Sequence, residues 1–265
     1  MKQFILLLLA SALMLSSGCS PDAESDPDSP ATVTLLTRSE TQTDNASPLR
    51  LLVFGSTGNN ACLLNQTFTP GQSVTLDAGT YRFVTLTASD CLDLPAAGTT
   101  DGISFDGLIP LKSDITLAPA LISQPQELTL PGTASYTASL LPASCLLKLE
   151  VLDTPEGLTL NLQNMSPGLS LSGSYADGTM QLNATTSPYA LTQGDNRCLP
   201  TLGNAVLQYE WNNSPITLDM GIKLEAGYVY SFRLQWQYGE LKLTSSSIVA
   251  WDSNGGSTSG DAEME

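Results

Sequence analysis

The stretch YVYSFRLQW, Tyr228 to Trp236, decides the fold class. In an extended chain successive side chains point to opposite faces. Tyr230, Phe232, Leu234 and Trp236 therefore share one face, while Ser231, Arg233 and Gln235 share the other. An apolar and a polar face at period two mark a strand lying on a core. LKLTSSSIVAW follows after a short turn. Working outward, LLKLEVLD, LTLNLQN, LSLSGSY, MQLNATT, AVLQYEW and ITLDMGI read as further strands of the second half. In the first half ATVTLLT, LRLLVFG, SVTLDAG, TYRFVTLTA and ISFDGLI read the same way. Gly, Pro, Asn and Asp punctuate these runs at a spacing of roughly 8 to 12 residues, which points to β-sandwiches rather than α/β units. No segment keeps a helical period for more than about two turns.

The chain begins MKQFILLLLASALML, one Lys ahead of an apolar run, then Ser16, Ser17, Gly18 and Cys19. This is the order of a secretory signal, and the run is shorter than the roughly 20 residues a membrane-spanning helix needs. A Cys directly after the small residues resembles the lipobox of bacterial lipoproteins, although Ser16 stands where Leu is usual. The resemblance implies cleavage before Cys19 and acylation of that residue, palmitate included. Such a protein is tethered to outer-membrane lipid at the cell surface. Asp22, Glu24, Asp26 and Asp28 follow, interleaved with Ser and Pro. Like charges and Pro keep such a segment extended, as a solvated linker or a surface-export address.

The expected organisation is all-β: a signal peptide over 1–18, an acidic linker over 19–30, two β-sandwich domains in tandem over 31–137 and 138–252, and a loose tail over 253–265. About 230 residues beyond the linker are natural for two sandwiches of about 110 residues each. The seam is placed near residue 138, in the Pro/Gly/Ser-rich passage LPGTASYTASLLPASC.

With 26 acids, 10 bases and no His, the net charge is −16, which repels phosphate backbones and argues against nucleic acid as a partner. Cys62, Cys91, Cys145 and Cys198 are an even set in an exported chain, so two disulfides are expected, with three pairings open. Pairing near neighbours, Cys62 with Cys91 and Cys145 with Cys198, places one bridge in each half. With neither CxxC nor His, no metal or redox centre and no cofactor is expected.

Three passages together resemble the fimbrillin family, the lipoprotein precursors of type V pili. They are LRLLVFGSTGN with LDAGTYRFVTLTA, then ASLLPASCLLKLEV, then LEAGYVYSFRLQW with LKLTSSSIVAWDSNGG. The resemblance implies two transthyretin-like sandwiches and assembly into fimbriae that contribute to adhesion. It implies a stalk, tip or anchor subunit whose partners are other fimbrial subunits. In that scheme a protease cuts after a basic residue, the first strand leaves, and a neighbour's strand takes its place. ATVTLLTR, Ala31 to Arg38, is the matching first strand, with Ala31, Val33 and Leu35 on one face and Arg38 as the processing site. Arg50 lies inside the next strand and is protected. The tail GGSTSGDAEME has only Met264 as an apolar residue after its alanine, a poor donor strand that favours an anchor, tip or accessory role.

The chain is not expected to be an enzyme. Without His, a nucleophile lacks its usual base, and no G-x-S-x-G elbow is present. Asp77, Asp90, Asp93, Asp101, Asp106 and Asp195 are scattered in turn-like contexts rather than paired for glycoside hydrolysis. The alternative function is a surface lipoprotein that binds a host molecule or glycan, using Trp211, Trp236 and Trp251 with nearby tyrosines. Exposed coplanar tryptophans favour that alternative; buried ones favour core packing.

Overall fold

The computed structural model describes residues 29–39, 48–57, 60–87, 91–112, 120–132, 135–175 and 189–251. The signal peptide, Cys19, most of the acidic linker and the C-terminal tail lie outside the described residues, as does the expected strand MQLNATT. The described residues are all-β, with no helix among them.

Residues 31–142 supply one curled eight-stranded sheet. Its strands are β1 (Ala31–Ser39), β2 (Leu49–Gly55), β3 (Cys62–Phe68), β4 (Ser73–Leu76), β5 (Gly79–Thr87), β7 (Leu121–Ser123), β8 (Gln126–Leu130) and β9 (Ser135–Pro142). The order is β3-β2-β5-β7-β9-β1-β4, and β8 continues alongside β5. Val33, Leu35, Leu51, Val53, Phe83, Tyr136 and Leu140 fill its inside. The opposite face of β2 and β5, with Leu52, Phe54, Val84 and Leu86, is buried as well, in a second core shared with the rest of the chain. Burial on both faces explains why LRLLVFG reads as an unbroken apolar run instead of an alternation.

Residues 145–250 supply two four-stranded sheets. One has the order β14-β10-β17-β18, from β10 (Cys145–Leu152), β14 (Gly194–Cys198), β17 (Tyr228–Gln237) and β18 (Glu240–Ala250). The other has the order β13-β11-β15-β16, from β11 (Leu160–Leu162), β13 (Tyr189–Leu191), β15 (Asn204–Trp211) and β16 (Ser214–Lys223). Tyr230, Phe232 and Leu234 of β17 are buried, as the alternation requires.

A two-stranded ribbon crosses between the halves. It pairs β6 (Leu108–Pro110) with β12 (Gly168–Ser170), Leu169 opposite Ile109. Gly168 has to be Gly here: a Cβ on it would stand 2.5 Å from the Ile109 carbonyl oxygen.

Ala138, near which the seam is expected, is buried in the middle of β9, which pairs in parallel with β1. Two expected strands need correction. The strand expected at ISFDGLI shrinks to Leu108–Pro110, because Ser104 to Gly107 close a turn through the Gly107 N–H to the Ser104 carbonyl. LSLSGSY likewise keeps strand geometry only at its start.

Candidate functional site: the seat of the first strand

The sequence of β1, ATVTLLTRS, has the alternation of a strand with one core face. Val33 and Leu35 are 0% exposed, and Ala31 packs on the same cluster. Thr32, Leu36 and Arg38 face out. Those three core-facing residues are the ones the sequence singled out, and the structure brings them into one row.

β1 is an interior strand with two walls, and the walls are staggered. Ala31 to Thr34 pair antiparallel with β4, Val33 opposite Val74. Thr34 to Ser39 pair in parallel with β9, Leu35 opposite Tyr136 and Arg38 opposite Ser139. The turn before β4 extends the first wall: Leu35 N–H donates to the Gln72 carbonyl at 2.8 Å, and Gly71 N–H donates to the Leu35 carbonyl at 2.7 Å. Gly71 takes φ +92, a left-handed geometry that suits Gly, so the turn folds back closely over the strand.

The floor beneath β1 is aromatic and polar at one point. Tyr136 is fully buried, its ring 5.0 Å from that of Phe83. Tyr136 Oη and Ser123 Oγ share a hydrogen bond at 3.1 Å, and Ser123 Oγ also accepts from the Thr85 N–H at 2.9 Å. Burial pushes the Tyr136 phenol up, so it stays a neutral partner. Tyr136 and Gln72 escaped the sequence reading, although SYTASLL carries a clear alternation whose buried members are Tyr136, Ala138 and Leu140.

Arg38 is exposed and still paired with β9, one residue before Ser39 ends β1; residues 40–47 beyond it are outside the described set. Arg50, in contrast, sits in β2 with its Nη1 donating to Asn65 Oδ1 at 2.9 Å and to the Pro95 carbonyl at 3.1 Å. Cys62, Cys91, Cys145 and Cys198 are all buried, and no disulfide joins them in this structure. Cys145 and Cys198 do face each other across β10 and β14.

The tryptophans do not form a platform. Trp211 and Trp236 meet edge to face, 4.8 Å apart at 68°, and both rest half-buried on the core. Trp251 is half-buried with the Arg197 guanidinium 4.7 Å over its ring. The hollow on the outer face of β10, β17 and β18 is lined by Lys148, Glu150, Ser231, Arg233 and serines of β18; its one aromatic lining residue, Phe232, is buried. No helix of the described residues is long and apolar enough to cross a membrane.

No protein-family model matches this chain, and no curated protein does. Solved structures do match. The fimbrial tip protein Mfa3 of Porphyromonas gingivalis, truncated at its C-terminus, aligns with TM-score 0.50 and 11% identity over 84% of this chain and 100% of its own. The chain has the fold of fimbrial proteins. The fimbrial anchor Mfa2 of the same organism gives TM-score 0.50 at 12% identity, covering 84% of this chain and 98% of Mfa2. A candidate polysaccharide-binding protein of Bacteroides thetaiotaomicron gives TM-score 0.53 at 12% identity, covering 85% of this chain and 100% of that one. At such identities the likeness is one of fold, and at that level it bears out the resemblance to the fimbrillins.

Proposed function

We propose that this chain is a structural subunit of cell-surface fimbriae, a stalk, tip or anchor that joins its neighbours by strand exchange and contributes to adhesion. The observation that carries this reading is β1: an interior strand with two hydrogen-bonding walls, with an exposed Arg38 as its last residue but one. Cutting after Arg38 would free that strand. Its departure would leave a slot edged by β4 and β9 with vacant seats for Val33 and Leu35. A neighbour's strand entering there would gain main-chain hydrogen bonds from both walls and selectivity from the alternate seats. Acylated Cys19 would hold the precursor to outer-membrane lipid. In this reading the chain uses no cofactor or metal and performs no catalysis.

The two-domain description belongs to the same proposal, with the seam moved to Ala143–Ser144, between β9 and β10. Two transthyretin-like units then meet across the β6–β12 ribbon. The glycan-binding alternative is less well supported, because the tryptophans are edge to face and rest on the core.

The test is N-terminal sequencing and intact mass of protein taken from the cell surface. A free N-terminus at Ser39 in assembled fibres marks an exchanged building block. A lipid-blocked Cys19 in a chain that co-purifies with fimbriae marks an anchor. A lipid-blocked chain absent from fimbriae, whose oligomeric state does not change on cleavage at Arg38, overturns the proposal.

A further inference from the structure

Cys145 opens β10 and Cys198 closes β14. The two strands are antiparallel with Cys145 directly opposite Cys198. Facing Cα atoms in such a pair stand about 4.5 to 5.5 Å apart, within the roughly 4.4 to 6.8 Å that a disulfide spans. Both side chains turn to the same side, as directly opposed residues of an antiparallel pair do, and each is 0% exposed. Cys145 Sγ already reaches across the gap, 3.4 Å from the Cys198 carbonyl oxygen. Cys62 is engaged elsewhere, its Sγ donating to the Leu64 carbonyl at 3.1 Å on β3.

We infer that Cys145 and Cys198 form a cross-strand disulfide in the exported protein. In that step the two thiols release two protons and two electrons as the S–S bond forms. A thiol oxidoreductase of the export compartment accepts them, its own disulfide becoming a dithiol. The timing follows from burial. Once the sheet has closed, the hydrogen bond from Cys145 and the apolar surroundings hold the Cys198 thiol well above its ordinary value, and little thiolate is present to react. The bond therefore forms while β14 is docking on β10. It fastens the edge strand β14 to the strand that carries the chain onward from Ala143–Ser144. A subunit pulled from its ends would then resist peeling at that edge. The inference stands whether or not the fimbrial reading does.

The experiment uses full-length protein exported by its host. It is denatured and alkylated with iodoacetamide without reductant, then digested and weighed. The expected result is a linked peptide pair containing Cys145 and Cys198, 2 Da lighter than its two thiol forms. Alkylation of Cys145 and Cys198 overturns the inference, and so does a bridge from either of them to Cys62 or Cys91. As a second readout, reductant should lower the melting temperature of the wild type by about 10 °C more than that of C145S/C198S. An equal response in both proteins also overturns it.

Discussion

The first and last strands of the described chain contrast sharply. β1 has 9 residues and β18 has 11, yet the shorter one is the better buried. β1 has neighbours on both sides, while β18 is an edge strand bonded to β17 alone. The core-facing row of β1 is Ala31, Val33 and Leu35, two of them wholly buried. Leu243, Ser246 and Ile248 lie opposite the buried Leu234, Phe232 and Tyr230. Of these, Leu243 and Ser246 are exposed and Ile248 is half-buried. A strand's weight in the fold thus comes from its place in the sheet more than from its length. The difference bears on assembly: losing an edge strand exposes one new edge, whereas losing an interior strand leaves a slot bounded on two sides.

Removing residues 31–38 is the most severe way to break this comparison. The deletion strips two buried side chains and two ladders, so the melting temperature should fall by more than about 10 °C or the protein should aggregate. The synthetic peptide ATVTLLTR, added to the deleted chain during refolding, should recover part of the loss, as read by differential scanning calorimetry. An unchanged melting temperature would show that β1 is no part of the sheet.

Single residues sharpen the same contrast. Leu35→Ala leaves a void at a fully buried site and should cost about 3 kcal/mol in urea unfolding. Leu243→Ala on β18 removes a side chain that is 37% exposed and should cost less than about 1 kcal/mol. Equal costs would erase the distinction between interior and edge.

The ribbon between the halves comes next. Gly168→Ala forces a methyl group against the Ile109 carbonyl, so the β6–β12 pairing must open or shift, at about 1 to 3 kcal/mol. Gly157, where nothing lies within 4 Å of an added Cβ, has φ +80. Its replacement by Ala should cost about 1 kcal/mol, through backbone conformation alone. Denaturant titration of the two variants separates crowding from conformation.

Where the sequence was legible, and where it was not, follows the same physics. ATVTLLT and VYSFRLQW declare their core faces by alternation, and the structure buries those faces. β9 was hidden because the Pro, Gly and Ser around it suggest a linker, although Tyr136, Ala138 and Leu140 alternate as cleanly as β17 does. β3 was hidden for another reason. CLLNQTF carries Asn65 at a buried position, and only the fold shows its Nδ2 donating to the Ala96 and Thr99 carbonyls. ISFDGLI misled in the opposite direction: its apolar residues suggest a strand, but Ser104 to Gly107 close a turn, which Asn60, 46 residues from Asp106 in sequence, also meets. The floor of the β1 seat is similarly non-local. Tyr136, Phe83 and Ser123 come from three strands, and no spacing rule joins them.

That floor supplies the smallest expected effect. Tyr136→Phe keeps the ring against Phe83 and the wall opposite Leu35, and removes one hydroxyl. Ser123 Oγ loses one partner but keeps the Thr85 N–H, so neither it nor that amide is stranded. The cost should be close to that of one ordinary hydrogen bond, about 1 kcal/mol. Tyr136→Ala should cost several times more, because it opens a void under β1. If the two variants lose the same stability, the hydroxyl rather than the ring holds the first strand's seat in shape. Strand exchange would then depend on a polar anchor in place of an apolar fit.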